Sequence, residues 1–243
     1  MFVGAGTALN IATILIGSTI GIFIGERLKE KTRSLITDVL GLVTILGAAG
    51  AIIPLFKSGY LDAMPNGWCT MPILLALIVG GVIGSAIGLE EKVENLGEFL
   101  RRKFKAKEGS FVEGFLDSSL LFAIGPLAIL GSISDGMSNG IDQLVLKSVL
   151  DGFASMAFAS SLGWGVAASA IPVGIYQGLW TVVGLLLGNI MSDYQVDAMT
   201  IVGGLMLLGI GLRLLKIKNL PVGNLLPALF LAPLTALLFH SFL

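Results

Sequence analysis

The chain has 243 residues, of which 55% are hydrophobic and only 13% are charged, and its mean hydropathy is +0.92. A soluble domain carries roughly a quarter charged residues, so this composition excludes that class and predicts an integral membrane protein. The net charge of −1 gives no basis for nucleic-acid binding. The single cysteine, Cys69, excludes an internal disulfide and a cysteine-based metal cluster.

Apolar stretches of about 20 residues recur along the chain, each long enough to cross the hydrocarbon core as a helix. The sequence predicts an all-α polytopic transmembrane bundle of about eight helices. It forms a single domain over 1–243, with a cytoplasmic connecting segment at about 90–112. The predicted helices are 4–25, 35–56, 71–89, 113–133, 145–163, 168–190, 197–215 and 222–242.

Three basic clusters favour this count, because cytoplasmic loops carry an excess of lysine and arginine. With eight spans all three clusters lie on one side and both termini are extracytoplasmic, whereas with seven spans the last cluster changes sides. The alternative is a re-entrant segment within 145–190. The clusters are Arg27, Lys29, Lys31 and Arg33; Lys92, Arg101, Arg102, Lys103, Lys105 and Lys107; and Arg213, Lys216 and Lys218.

The connecting segment has apolar residues at helical spacing, namely Val93, Leu96, Leu100 and Phe104. This pattern predicts an amphipathic helix over 90–109 at the cytoplasmic surface. Its basic end either contacts anionic lipid or belongs to an ordinary solvated helix.

Glycines four residues apart occur in three predicted helices. Such spacing lets backbones approach closely where lipid removes the hydrophobic drive for helix association. We expect these glycines to serve helix packing rather than ligand contact. They are Gly17, Gly21 and Gly25; Gly80, Gly84 and Gly88; and Gly184 and Gly188.

The glycines also indicate an internal duplication. Placing Gly21 on Gly184 without a gap brings Gly41 onto Gly204, so the first two helices resemble the sixth and seventh. In the eight-span arrangement these two pairs run in opposite directions, as in inverted-repeat transporters. A second similarity joins "FLDSSLLFAIG" in the fourth helix with "VLDGFASMAFASSLG" in the fifth.

Four segments carry a family resemblance: "FVEGFLDSSLLFAIGPLAILGSISDG", "KSVLDGFASMAFASSLGWGV", "PVGIYQG" and "NLLPAL". In this order they resemble the bacterial membrane-protein family called domain of unknown function 554, the YdfK/YqgA-like proteins. The resemblance covers nearly the whole chain. It implies a multi-pass protein of the bacterial cytoplasmic (inner) membrane, and it carries over no catalytic residues.

Two aspartates, Asp117 and Asp151, fall within predicted spans. An ionisable residue inside the membrane indicates a functional site by default, because burying its charge is costly. Asp151 shares a small-residue face with Ser155. The alternative is structural: both aspartates lie near a predicted helix N-terminus, where the dipole favours an anion, and Lys147 at i−4 is placed to pair with Asp151.

Other polar residues in the spans are candidates for solute or ion binding. Asn10 lies in the first helix, and Gln177 and Asn189 lie in the sixth. Each of these amides can equally well hydrogen-bond one helix to another. Pro126 and Pro172 predict helix breaks, whose freed carbonyls can bind a cation if they face a cavity and otherwise mark ordinary kinks.

These observations predict a secondary transporter or channel-like protein for a small solute or ion. No cofactor, metal or catalytic activity is expected, because the only histidine, His240, lies near the C-terminus and no metal-binding or phosphate-binding motif is present. The predicted partners are the lipid bilayer and the solute. The sequence does not decide whether the chain forms a homo-oligomer. The alternative function is a non-transporting scaffold or sensor that forms oligomers through its glycine faces.

Overall fold

The computed structural model describes residues 2–104, 110–124, 126–187 and 191–242. These residues form α-helices, short 3-10 helices and connecting turns, without a β-strand. Seven helical segments among them are long and apolar enough to cross a membrane, and an eighth crossing results if one bent helix pair counts as a single span. The predicted all-α polytopic bundle is confirmed.

The helices of the described chain are numbered in sequence order. They are α1 (Ala5–Gly25), α2 (Glu30–Ile52), α3 (Ser58–Ala63), α4 (Met71–Ala86), α5 (Leu89–Lys103), α6 (Phe111–Ala123), α7 (Pro126–Gly136), α8 (Asp142–Leu162), α9 (Trp164–Ala168), α10 (Ala170–Leu187), α11 (Asp193–Leu214) and α12 (Leu226–Phe242). Short 3-10 helices occupy Ile53–Phe56, Pro65–Thr70 and Val222–Leu225.

Each predicted span contains a helix, with ends that differ by a few residues. The predicted span 113–133 is divided into α6 and α7, which meet at 62°. The stretch 145–190, for which a re-entrant segment is the alternative, holds two helical segments long and apolar enough to span, Asp142–Leu162 and Trp164–Leu186. Gly163 separates them at a φ of +74°, where a Cβ would be strained.

The polar connection forms α5, and residues 105–109 of the predicted amphipathic segment lie outside the described residues. On α5, Leu100 is buried, and a Cβ added at Gly97 would lie 2.8 Å from the Phe115 ring. Leu96 and Phe104, from the same predicted apolar stripe, are exposed. The stripe is therefore only partly covered by protein.

The chain forms two compact units, each built from two separate segments. Unit 1 comprises Met1–Leu40 and Glu94–Ile190, and unit 2 comprises Gly41–Val93 and Met191–Leu243. Each unit therefore combines helices from two segments that are far apart in the sequence. The sequence predicts a single domain, because it contains no long linker that would mark this division.

In unit 1 the glycines of α1 bring its backbone directly against α8. Each glycine of the predicted ladder meets a main-chain carbonyl of α8, so no side chain fits between the two helices. Because the residue numbers of the contacting pairs rise together, α1 and α8 are parallel. A Cβ added at Gly17, Gly21 or Gly25 would lie 2.1, 2.2 and 2.3 Å from the carbonyl oxygens of Gly152, Met156 and Ser160, respectively.

The bent pair α6–α7 runs along the length of α1. At one end, a Cβ added at Gly114 would lie 2.9 Å from the side chain of Leu162, where α1 and α8 also end. At the other end, Asp135 accepts hydrogen bonds from the backbone N–H groups of Gly4 at 3.1 Å and Gly6 at 3.0 Å. This carboxylate satisfies N–H groups that the first turn of α1 leaves free.

Helix α10 packs against both α1 and α7. A Cβ added at Gly174 would lie 2.7 Å from Cδ1 of Ile11, and one added at Gly184 would lie 2.3 Å from the carbonyl oxygen of Ile133. Ile133 lies two residues before Asp135, which contacts the N-terminus of α1. The C-terminal part of α10 is therefore near the start of α1, and the two helices are antiparallel.

Unit 2 contains the second glycine ladder, on α4. A Cβ added at Gly80 would lie 2.5 Å from the backbone nitrogen of Ala228, and one added at Gly84 would lie 1.9 Å from the carbonyl oxygen of Asn224. The third glycine, Gly88, lies beyond the end of α4 with a φ of +63°, so it ends the helix instead of packing against a neighbour.

We expect Gly21→Ala to lower the free energy of unfolding by about 1–3 kcal/mol, because the added methyl group has no room beside Met156. The measurement is denaturant unfolding of the purified full chain in detergent micelles.

The matched control is Gly47→Ala on the exposed side of α2, where an added Cβ has no atom within 4 Å. This change should raise stability by about 0.5–1 kcal/mol, through helix propensity alone. Equal effects at Gly21 and Gly47 would contradict the close approach of α1 to α8.

Candidate functional site

One ion pair is buried between the helices of unit 1. The Lys147 ammonium donates to Oδ2 of Asp151, and the Asn10 side-chain amide of α1 donates to the same oxygen at 3.0 Å. The Lys147 and Asp151 side chains are 7% and 11% exposed, and Asn10 is fully buried. The Asp151 carboxylate is thus held by one charged and one neutral donor.

Asp151 lies deeper in its helix than the sequence indicates. Helix α8 begins at Asp142, so Asp151 is about two and a half turns from the N-terminus. The free N–H groups of a helix belong to its first turn, and the dipole effect fades within that turn. The capping interpretation therefore does not apply to Asp151, whereas the alternative pairing with Lys147 is present.

The sequence of α8 separates a buried polar face from an exposed apolar one. Lys147, Asp151 and Ser155 recur every four residues and are buried, while Val149 and Phe153 between them are exposed. Asn10 reaches this polar face because glycines on α1 hold the two backbones close together. The ion pair therefore depends on the packing of α1 against α8.

Several buried polar atoms of α1 and α10 have no hydrogen-bond partner among the described residues. They are Oδ1 of Asn10, Oγ1 of Thr7, and both Oε1 and Nε2 of Gln177. Asn10 and Gln177 are fully buried, and Thr7 is 7% exposed. Buried polar side chains almost always find a partner, so a group of unpartnered ones requires an explanation such as water or a ligand.

The contacts of α10 place Gln177 at the level of Thr7. Three residues before Gln177, Gly174 lies against Ile11, which is one turn from Thr7 on the same side of α1. Four residues after it, the carbonyl of Thr181 lies 2.1 Å from a Cβ added at Gly136, next to the residue that caps α1.

Gln177 therefore lies on the face of α10 toward the first turns of α1, while Asn10 joins α1 to α8. We use the name junction cluster for five buried polar residues of α1, α8 and α10: Thr7, Asn10, Lys147, Asp151 and Gln177.

Asp117 lies outside the junction cluster. It is fully buried in α6, one turn after Gly114, which contacts Leu162 at the end of α8. Leu162 is eleven residues beyond Asp151, or about 16 Å along the helix. Asp117 therefore lies one turn of α6 away from a contact at the C-terminal end of α8, whereas Asp151 lies near the middle of α8.

The remaining predicted residues have other surroundings. Ser155 donates to the carbonyl of Gly152 at 2.9 Å and packs where Gly17 leaves space. Pro126 begins α7, after the bend that separates α6 from α7. The helix break expected at Pro172 lies three residues earlier, at Ser169, and Pro172 lies in the first turn of α10. Asn189 and Gly188 lie outside the described residues.

Unit 2 contains a second buried ion pair that the sequence analysis did not identify. Glu90 accepts hydrogen bonds from Arg213 at 2.5 Å and from the backbone of Gly223 at 2.5 Å, and its own N–H donates to Asn224 at 2.9 Å. Arg213 also donates to the carbonyl of Leu220. Both carboxylate oxygens are used at the ends of three helices, so this network holds helix termini together.

Asp135 was also missed, because a single aspartate near the end of a predicted span looks like an interfacial residue. The available signal was the glycine-rich start "VGAGT" of the first helix, whose free N–H groups need an acceptor. No local pattern shows that a residue more than 120 positions away supplies that acceptor. The pairing of Asp135 with Gly4 and Gly6 is decided by tertiary structure.

Comparison with known proteins supports a relationship over almost the whole chain. The model of the family described as "Protein of unknown function (DUF554)" matches residues 5–237. "Uncharacterized membrane protein YdfK" of Bacillus subtilis (strain 168) is 28% identical over 237 residues, covering 98% of this chain and 97% of its own. "Uncharacterized protein YqgA" of Escherichia coli (strain K12) is 34% identical over 239 residues, covering 95% and 96%. No solved structure matches the chain.

We expect Asp151→Asn and Lys147→Met each to lower the free energy of unfolding by about 3–5 kcal/mol, because each leaves one buried charge without its partner. The double variant should lose much less than the sum of the two single losses. A double-mutant cycle by denaturant unfolding in detergent gives the coupling energy.

The control cycle is the partly exposed pair Glu98 and Arg101 on α5, joined at 2.9 Å. An exposed pair of this kind couples by about 0.2–1 kcal/mol. If the Lys147 and Asp151 pair couples no more strongly than this control, the two charges are not buried together.

Proposed function

We propose that this chain, which belongs to the DUF554 family, carries a small solute or ion across the bacterial inner membrane as a secondary transporter or channel-like protein. The observation that supports the proposal is the junction cluster, in which an ion pair and polar atoms without a hydrogen-bond partner among the described residues are buried in helices long and apolar enough to span a membrane. In a protein without a ligand such a cluster costs stability, since a buried pair rarely repays its desolvation. Binding of a solute explains why the chain keeps costly polar residues inside its spans.

An inverted repeat is part of the proposal, and two helix crossings support it. The offset of 163 residues that places Gly21 on Gly184 also places Ile11 on Gly174, and these two residues contact each other within unit 1. A contact between equivalent residues is expected where a two-fold axis passes between two antiparallel helices.

The crossing of α2 and α11 within unit 2 obeys the same offset. A Cβ added at Gly41 would lie 3.2 Å from the carbonyl oxygen of Gly211, and one added at Gly204 would lie 3.1 Å from that of Ala48. The offset places Gly41 on Gly204 and Ala48 on Gly211. It therefore maps the contact between Gly41 and Gly211 onto the contact between Gly204 and Ala48. Two crossings in separate units therefore support the same repeat.

The proposed mechanism follows from this arrangement. In inverted-repeat transporters the solute binds near the midplane, at helices related by the repeat axis, and is exposed to the two sides in turn. Helices α1 and α10 are such a pair, and the junction cluster lies within about one turn of their contact at Ile11. We expect Asn10 and Gln177 to contact the solute, with Lys147 and Asp151 fixing the position of Asn10.

Eight crossings with both termini outside the cytoplasm complete the proposal. The bent pair α6–α7 extends from the C-terminal end of α1, near Leu162, to its N-terminal end, at Gly4, which supports one net crossing by the pair. The three basic clusters then share the cytoplasmic side.

The alternative of a scaffold with glycine-faced oligomers has less support. Gly17, Gly21 and Gly25 lie against α8, Gly80 against α12, Gly84 against the 3-10 helix Val222–Leu225, and Gly184 against α7. All six are thus covered by helices of the same chain, and a second copy would have to use another surface.

Water access tests the transport proposal. In a Cys69→Ser background, we expect Thr7→Cys to react with a membrane-impermeant thiol reagent in right-side-out or inverted vesicles, because a solute site must open to water. Ser132→Cys is the control, since Ser132 is fully buried and already donates to the Ala128 carbonyl at 2.6 Å. A Thr7→Cys protein that resists the reagent from both sides would overturn the proposal.

The orientation is tested by the natural Cys69, which lies between α3 and α4, and by Lys218→Cys in a Cys69→Ser background. We expect Cys69 to be labelled in intact spheroplasts and Lys218→Cys only in inverted vesicles. If the α6–α7 pair did not cross, both positions would be labelled from the same side.

A further inference from the structure

We infer that the solute is a small uncharged molecule that both donates and accepts hydrogen bonds, of the amide or polyol class. This inference rests on the proposed transport function and adds the chemistry of what is carried. It starts from the charge and the free hydrogen-bonding atoms of the junction cluster.

The charge of the junction cluster is balanced within the cluster. The Lys147 ammonium is committed to Asp151, and Thr7, Asn10 and Gln177 are uncharged. The carboxylate that caps α1, Asp135 on α7, uses one oxygen for Gly4 and the other for Gly6. A cation would meet the Lys147 ammonium without a free counter-charge, and an anion would have to break the ion pair.

The free atoms offer both kinds of hydrogen bond. Asn10 directs its NH₂ group to a carboxylate, which can only accept, so its carbonyl oxygen is left as an acceptor. Gln177 leaves one acceptor and one donor free whichever way its amide is turned, and the Thr7 hydroxyl can do either. Two acceptors, one donor and one hydroxyl match a solute such as an amide, a urea or a polyol.

A metal ion fits these residues poorly. Hard cations prefer six or more oxygen ligands, usually including carboxylates. The junction cluster offers two amide oxygens, a hydroxyl and the second carboxylate oxygen of Asp151, and the charge of that carboxylate is balanced by the Lys147 ammonium at Oδ2. Among the described residues no group of three histidine, cysteine or acidic side chains is placed to hold a metal.

The test is uptake by proteoliposomes of the full chain, with radiolabelled acetamide, urea and erythritol as neutral probes and rubidium and chloride as ionic ones. We expect at least one neutral probe, and neither ion, to enter faster than into protein-free liposomes. Gln177→Met should lower neutral uptake about tenfold, the effect of one lost hydrogen bond. The variant should keep its fold, because the removed amide has no hydrogen-bond partner in the part of the chain that the structure describes. Gln143→Met, at an exposed glutamine of α8, should leave uptake unchanged.

Asp151→Asn supplies a second readout, because it leaves Lys147 without a counter-charge and should admit chloride. Uptake of rubidium or chloride by the unmodified chain, without neutral uptake, would overturn the solute class and leave transport standing. Neutral uptake that Gln177→Met does not change would also overturn it. If Thr7→Cys is labelled but no neutral probe is taken up, the solute class is wrong. If Thr7→Cys is unreactive from both sides, the transport proposal itself is wrong.

Discussion

The contact between α1 and α8 is made by backbone against backbone, and the candidate site depends on it. In a membrane, lipid tails are as apolar as leucine, so helices associate through close packing and hydrogen bonds rather than through the hydrophobic effect. Gly17, Gly21 and Gly25 remove the side chains that would hold α1 away from the carbonyls of α8. Only at this separation does the short side chain of Asn10 reach Asp151.

Burial of an ion pair inside a membrane protein requires such enclosure. Lys147 and Asp151 are one turn apart on α8, and each would be costly alone in hydrocarbon. The added donor from Asn10 helps to satisfy the carboxylate. The Gln177 amide has no hydrogen-bond partner among the described residues. This distinguishes the junction cluster from a purely structural network.

The second buried ion pair illustrates this difference. Glu90 uses both carboxylate oxygens, one for Arg213 and one for the backbone of Gly223. Its partners lie at the ends of helices, where free N–H and C=O groups need acceptors and donors. This network therefore stabilises helix termini of unit 2, whereas the junction cluster lies within spanning helices and leaves polar atoms available.

The sequence allowed much of the secondary structure to be predicted, because apolar stretches of spanning length and basic loops are local properties. The glycine ladders were also readable, although Gly88 was assigned to packing and instead ends α4. The bend between α6 and α7 lies at the break predicted from Pro126, which begins α7. The division into two units had no local signal, because it depends on contacts between segments far apart in the chain.

For the candidate site, the sequence by itself determined which ionisable and amide residues lie in the spans, and the i−4 spacing that pairs Lys147 with Asp151. Tertiary structure alone decided that Asn10 contacts this pair, that Gln177 faces the first turns of α1, and that the α6 residue next to Asp117's turn lies at the end of α8. It also made Asp135 the cap of α1. The physical reason is that helical periodicity fixes the face a residue occupies, whereas the neighbour of that face is set by which helices pack together.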